Sequence, residues 1–252
     1  VIEAEIDITT AAGLMNTFVV KPPSDIPLPL VILLMDASGV REELRDIARR
    51  IAATGYVVAL PNLYYRQLRT YDSGPLHDHP EAQDNMRRML ELLGTIDKSA
   101  TLDDIGALLT TAPDVLGCAT GPAGLVGYCF SGSLATLGAA TYGDAIGFFA
   151  SFFGTSLVTD AANSPHQLLS SISAEGYFEF GSRDMFIPQA TIEALSLAVP
   201  KSGLCARIVT VPNAEHGYVF ADRDAYLPPA REEHLGTIID LCRRTLGSKS
   251  GA

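Results

Sequence analysis

No apolar run in this chain is long enough to cross a bilayer; the longest, residues 28–35, has the length of a strand. No C-x-x-C pair occurs, and four cysteines in 252 residues make no dense disulfide framework. Free thiols in a reducing cytoplasm are the expectation. Cations are scarce: 18 Lys and Arg face 29 Asp and Glu, a net charge of −11. Such a surface repels nucleic acid and anionic membranes, which excludes both as expected partners. Repeats, low-complexity tracts and linker-like segments are missing too. One domain over residues 1–252 is therefore expected, with an N-terminal strand at about 1–14 and a flexible tail at 248–252. No secretory signal is visible, and a start at Val1 leaves room for a segment removed upstream.

What is present suits a compact enzyme-like domain, with 47% hydrophobic and 19% charged residues. Strand and helix patterns alternate. Residues 2–8 and 15–20 read as strands around an Ala-Ala-Gly turn, and 30–35 as a buried strand. Residues 41–53 carry Leu44, Ile47, Ala48 and Ile51 at helical spacing and stop at Gly55. A strand at 56–60 ends at Pro61, and 62–80 is loop-like. Residues 81–112 read as two helices with a break near 98–101. Strands follow at 124–128, 146–152, 175–180 and 206–211, with helices at 130–142, 191–199 and 227–246. This alternation predicts an α/β fold, a mostly parallel sheet with helices on both faces.

In such sheets ligands sit beyond the carboxyl ends of the strands. Four chemistry-bearing residues fall there: Asp36, Cys129, Asp184 in GSRDMFIP and His216 in NAEHGYVF. In GLVGYCFSGS, Gly127 precedes Cys129 by two positions and Gly132 follows it by three. A nucleophile at a sharp strand-to-helix turn needs small neighbours, because strand and helix approach closely there. At the N-terminus of a helix, free N–H groups and the helix dipole favour a thiolate and a developing oxyanion.

The segments GYCFSG, GSRDMFIP and EHGYVF resemble the three catalytic segments of the dienelactone hydrolase (carboxymethylenebutenolidase) family, a branch of the α/β-hydrolases. The N-terminal stretch MDASGVREELRDIARRIAATGYVVALPNLYYR extends the likeness to residues 15–246. The resemblance implies an α/β-hydrolase fold with Cys129 as nucleophile, His216 as general base and then acid, and Asp184 as its orienter. It further implies the backbone amides of Ala37 and Phe130 as the oxyanion hole. Asp36 stands where the family has a glutamate that touches the resting thiol, so it is expected to restrain Cys129. A substrate carboxylate would be held by arginine, with Arg87, Arg88 and Arg223 as candidates, Arg66 and Arg69 as further options, and Tyr64 lining the pocket.

Each residue has a plainer reading. Cys129 could be a core thiol, His216 a loop histidine, Asp184 a turn or cap residue, and the DASG around Asp36 an ordinary turn. Position and chain order favour catalysis for the first three. Ser131 lies one turn into the helix and is read as structural. Cys118, Cys205 and Cys242 are read as mostly buried apolar residues. His166 and His234 are read as surface residues. His77 and His79 lack a third ligand, so no metal is assigned. The expected activity is cofactor-free hydrolysis of a lactone or small ester through a thioester at Cys129. The expected partner is a small molecule, anionic if an arginine clamp holds it, and the expected state a monomer or small homo-oligomer. Two rivals remain: a hydrolase of another acyl or carbon–carbon bond on the same fold, and a non-catalytic ligand-binding relative.

Overall fold

Two antiparallel strands, β1 (Ile2–Thr10) and β2 (Gly13–Lys21), open the chain in a computed structural model that describes residues 1–247. The tail expected at 248–252 lies outside the described residues. Six further strands follow: β3 (Leu30–Leu34), β4 (Val57–Pro61), β5 (Ala123–Tyr128), β6 (Ile146–Phe152), β7 (Glu175–Gly181) and β8 (Ala206–Val211). The helices are α1 (Glu42–Ala52), α2 (Ala82–Leu93), α3 (Lys98–Leu116), α4 (Phe130–Tyr142), α5 (Gln189–Ser202) and α6 (Pro228–Thr245).

The eight strands form one sheet in the order β1-β2-β4-β3-β5-β6-β7-β8. β2 pairs antiparallel with β1 and β4, and every other pairing is parallel. β3, β4 and β5 are buried along their whole length, as their unbroken apolar runs require when both faces are covered. α1 and α6 pack on one another, α3 and α4 likewise, and β6 lies against both α4 and α6.

α1 forms as its pattern predicts. Leu44, Ile47, Ala48 and Ile51 are all fully buried, and Glu42, Glu43 and Arg49, Arg50 sit at the ends that the helix dipole favours for each charge. The break in the 81–112 region falls earlier than expected. Residues 98–101 are the first turn of α3, and the side chain of Asp97 caps it by accepting the Ala100 N–H at 3.0 Å. α3 also runs past Pro113, where the sequence reading ended it, because Ala112 and Leu116 are anchored in the core and Gly117 supplies the left-handed stop. Among the described residues no helix is long and apolar enough to cross a membrane.

The registers matter for function. Leu34 pairs with Gly127, Tyr128 with Phe152, and Gly181 with Val211. The central strands end nearly level, so the residues that follow them share one rim.

Candidate active site

Cys129 links β5 directly to α4 with φ 55° and ψ −123°, a conformation that strains any residue with a Cβ. Its backbone is held there. The Cys129 N–H donates to Phe152 O at 3.2 Å, and its carbonyl accepts from Gly132 N–H (3.1 Å) and Thr155 N–H (3.0 Å). The neighbouring glycines are steric necessities. A Cβ on Gly127 would stand 2.2 Å from Ser131 O, and one on Gly132 would meet Ser151 Oγ at 2.4 Å and Gly154 Cα at 2.6 Å. Ser131 is structural, as its position implies. Its hydroxyl accepts the Tyr128 N–H at 2.9 Å and lies within bonding reach of Tyr128 O (2.9 Å) and Leu34 O (3.3 Å).

His216 follows β8, and its Nδ1 lies 2.7 Å from Oδ2 of Asp184, which follows β7. The carboxyl side chain is fully buried, and its other oxygen accepts the Phe186 N–H at 2.9 Å. The imidazole is clasped edge-to-face between Phe153 (5.0 Å between centroids) and Phe186 (4.9 Å). Burial of the ring opposes its protonation. The bond to Asp184 and the neighbouring Cys129 side chain outweigh that and raise its pKa to about 10. The structure therefore brings Cys129, Asp184 and His216, each from the end of a different strand, to one rim.

Ala37 and Phe130 flank the same rim, one past β3 and one opening α4. Neither backbone N–H finds an acceptor among the described residues, so both are free to bind an oxyanion. The phenol of Tyr64, buried here with Tyr71 packed on it edge-to-face, donates to Ala37 O at 3.0 Å. Burial first, then the charge of Asp36, keeps that phenol protonated.

Other expected residues go elsewhere. Asp36 is buried, but its carboxylate is engaged by Arg41 Nη1 and by the Ser38 N–H (3.3 Å); no hydrogen bond joins it to Cys129 among the described residues. Arg87 is exposed and pairs with Asp84, and Arg88 lies over the Tyr71 ring at 5.9 Å. Arg66 and Arg69 pair with Asp104 and Asp7. Arg223 alone of the five touches the loop carrying Ala37, through Ser38 Oγ. Two readings are corrected: His234 is wholly buried on α6, and Cys205 is exposed, while Cys118 and Cys242 are buried. His77 and His79 are exposed, with Nδ1 of His79 accepting the Glu81 N–H at 3.2 Å. The sequence reading missed Arg41 and the aromatic clasp. In the sequence Arg41 marks only the start of a helix, and Phe186 belongs only to the Asp184 segment.

The parallel sheet, the strained residue between β5 and α4, and the histidine–carboxylate pair past β7 and β8 define an α/β-hydrolase. A family model described as the dienelactone hydrolase family matches residues 15–246. The chain belongs to the dienelactone hydrolase family, a family of hydrolases. A Synechocystis sp. protein named "Putative carboxymethylenebutenolidase" is 28% identical over 212 residues, covering 83% of each chain. A Pseudomonas putida protein named carboxymethylenebutenolidase is 28% identical over 171 residues, 67% of this chain and 66% of its own. A crystal structure titled "Putative Dienelactone Hydrolase" from Klebsiella pneumoniae superposes with a TM-score of 0.81 at 26% identity, covering 95% of this chain and 97% of that one.

Proposed function

We propose that the protein is a cysteine-dependent hydrolase of lactones or small esters that forms a thioester on Cys129. One observation carries this reading: a histidine held by a buried carboxylate at 2.7 Å shares a rim with a thiol on a strained elbow. The Cys129 thiolate attacks the substrate carbonyl carbon, and the carbonyl electron pair moves to oxygen. The free N–H groups of Ala37 and Phe130 receive that oxyanion, each worth about 3 kcal/mol in the transition state. The intermediate collapses with rupture of the C–O bond, and the His216 imidazolium gives its proton to the leaving alkoxide. Acylation removes the thiolate charge, one of the causes that keep His216 protonated. The neutral imidazole can then draw a proton from water, which attacks the thioester and expels the sulfur.

The substrate is small. A carboxylate on it would meet Arg223, whose side chain reaches the loop carrying Ala37. The four free cysteines support a cytoplasmic setting and give no support to a disulfide-built one. The test is turnover of a lactone and of a nitrophenyl ester by Cys129→Ala, with intact-mass detection of the acyl-enzyme. The variant is expected to lose turnover and acyl adduct together. Full turnover in Cys129→Ala rejects the mechanism.

A further inference from the structure

A closed ring of polar contacts surrounds Ala37. Arg41 Nη1 donates to Asp36 Oδ1, and Arg41 Nε donates to Asp222 Oδ2 at 2.6 Å. Asp222 Oδ1 faces Arg223 Nε at 3.7 Å, and Arg223 Nη2 donates to Ser38 Oγ. The Ser38 N–H returns to Asp36 Oδ1 at 3.3 Å. The ring joins the turn after β3 to the loop after His216, and it balances two carboxylates against two guanidiniums. Asp36 and Ser38 are the residues on either side of Ala37.

Arg41 is the member that closes this ring from below. Its side chain is 3% exposed and lies over the Phe220 ring at 4.6 Å, while Asp222 is 38% exposed. A guanidinium this deep persists because both carboxylates face it, and removing it would strand Asp36 in the interior. Among the described residues its Nη2 has no partner, and the hydrogen bonds its side chain makes there go to Asp36 and Asp222. The Ala37 carbonyl is fixed separately by Tyr64. With Asp36 held on one side and the Ser38 amide on the other, the Ala37 N–H has no acceptor among the described residues and is left to point at a ligand.

The geometry points to Arg41 as a positioning residue: by pinning Asp36 to Asp222 it sets the Ala37 N–H for the oxyanion. Asp36 thus serves the turn that carries the oxyanion donor, and among the described residues no hydrogen bond joins it to the thiol. The inference rests on the reading of Cys129 as nucleophile.

Two reactions of one sulfur separate positioning from mere folding. Acylation by a nitrophenyl ester passes through a carbonyl oxyanion, whereas alkylation by iodoacetamide is a displacement at carbon and develops none. In Arg41→Met, single-turnover acylation is expected to fall by about 100-fold, the loss of one oxyanion donor, while alkylation of Cys129 keeps its parental rate. If Arg41→Met does not fold, Asp222→Asn loosens the same ring from its exposed side and is expected to show a smaller drop of the same kind. Acylation and alkylation falling together, or acylation unchanged, would overturn the assignment. Failure of the underlying reading looks different: the parental protein itself would then form no acyl adduct on Cys129.

Discussion

The phenol oxygen of Tyr128 lies 2.7 Å from Nε2 of His234, and neither residue has any exposed surface. Tyr128 immediately precedes Cys129, and His234 sits on α6, so this bond ties a helix to the strand that carries the elbow. The His234 ring also packs edge-to-face on Phe152 at 4.3 Å, against the strand whose carbonyl holds the Cys129 amide.

Burial, reinforced by the charge of Arg231, lowers the His234 pKa to about 3. The unfolded chain regains a pKa near 6.5, so between these values it binds a proton that the folded chain refuses. This contribution to stability is therefore complete above about 6.5 and is lost as pH falls toward 3. Between pH 6.5 and 4.5 the parent is expected to lose about 2 kcal/mol more than His234→Gln, whose side chain does not titrate. Urea unfolding at a series of pH values reads this difference in slope, whatever the variant's absolute stability. Parallel curves would refute it.

The Asp184–His216 bond makes two linked predictions. Asp184→Asn is expected to lower kcat by about 10⁴, because the amide favours the wrong imidazole tautomer. The bond also raises the His216 pKa, so losing it must move that pKa down from about 10. With an alkyl ester, whose leaving group needs an acid, kcat/KM should decline on the alkaline side as the imidazolium is lost. That limb should shift to lower pH in Asp184→Asn. An unmoved limb would show that another group titrates there.

Ser131 stands one residue before Gly132 and answers the Tyr128 N–H with its hydroxyl. Ser131→Ala leaves that buried donor without a partner, a loss of about 1–3 kcal/mol. Iodoacetamide labelling of Cys129 is expected to continue in the folded variant, since the Cys129 backbone keeps its bonds to Phe152, Gly132 and Thr155. Denaturant unfolding and labelling mass spectra together test this; loss of labelling in folded Ser131→Ala would give the hydroxyl a part in the chemistry.

Much of the fold is legible because period and punctuation agree. α4 and β6 carry the boundaries expected of them, since Gly127, Cys129 and Gly143 punctuate their ends. The rim was legible from a rule about strand ends. Contacts between distant loops were not. Arg41 and Asp222 are 181 positions apart, and no local pattern announces their bond. His234 shows a different failure. Its spacing from Ile238, Leu241 and Cys242 puts it on the inward stripe of α6, a signal that the reading of it as a surface residue leaves out. Asp36 was read by resemblance to a glutamate, and the resemblance carried no word of an arginine five residues on.

Under the function proposed, which arginine is best placed for a substrate carboxylate depends on what each already holds. Arg87 is spent on Asp84 at the surface, Arg66 on the buried Asp104, and Arg69 on Asp7. Arg88 is exposed above Tyr71, one ring removed from Tyr64. Arg223 is 14% exposed, bonds the neutral Ser38 hydroxyl, and has its nearest carboxylate oxygen at 3.7 Å. A substrate carboxylate offers this guanidinium a better acceptor than a serine hydroxyl does, because both partners are then charged. Arg223→Gln is therefore expected to raise KM for a carboxylate-bearing lactone by about 10–100-fold, the worth of a charge-assisted hydrogen bond. A neutral nitrophenyl ester should be far less affected, and Arg87→Gln should change neither substrate. The comparison is internal: Arg223 also belongs to the ring around Ala37, and damage to that ring would reach both substrates alike. Equal losses on the charged and neutral substrates would make Arg223 a support of the oxyanion turn and leave the carboxylate without its proposed clamp.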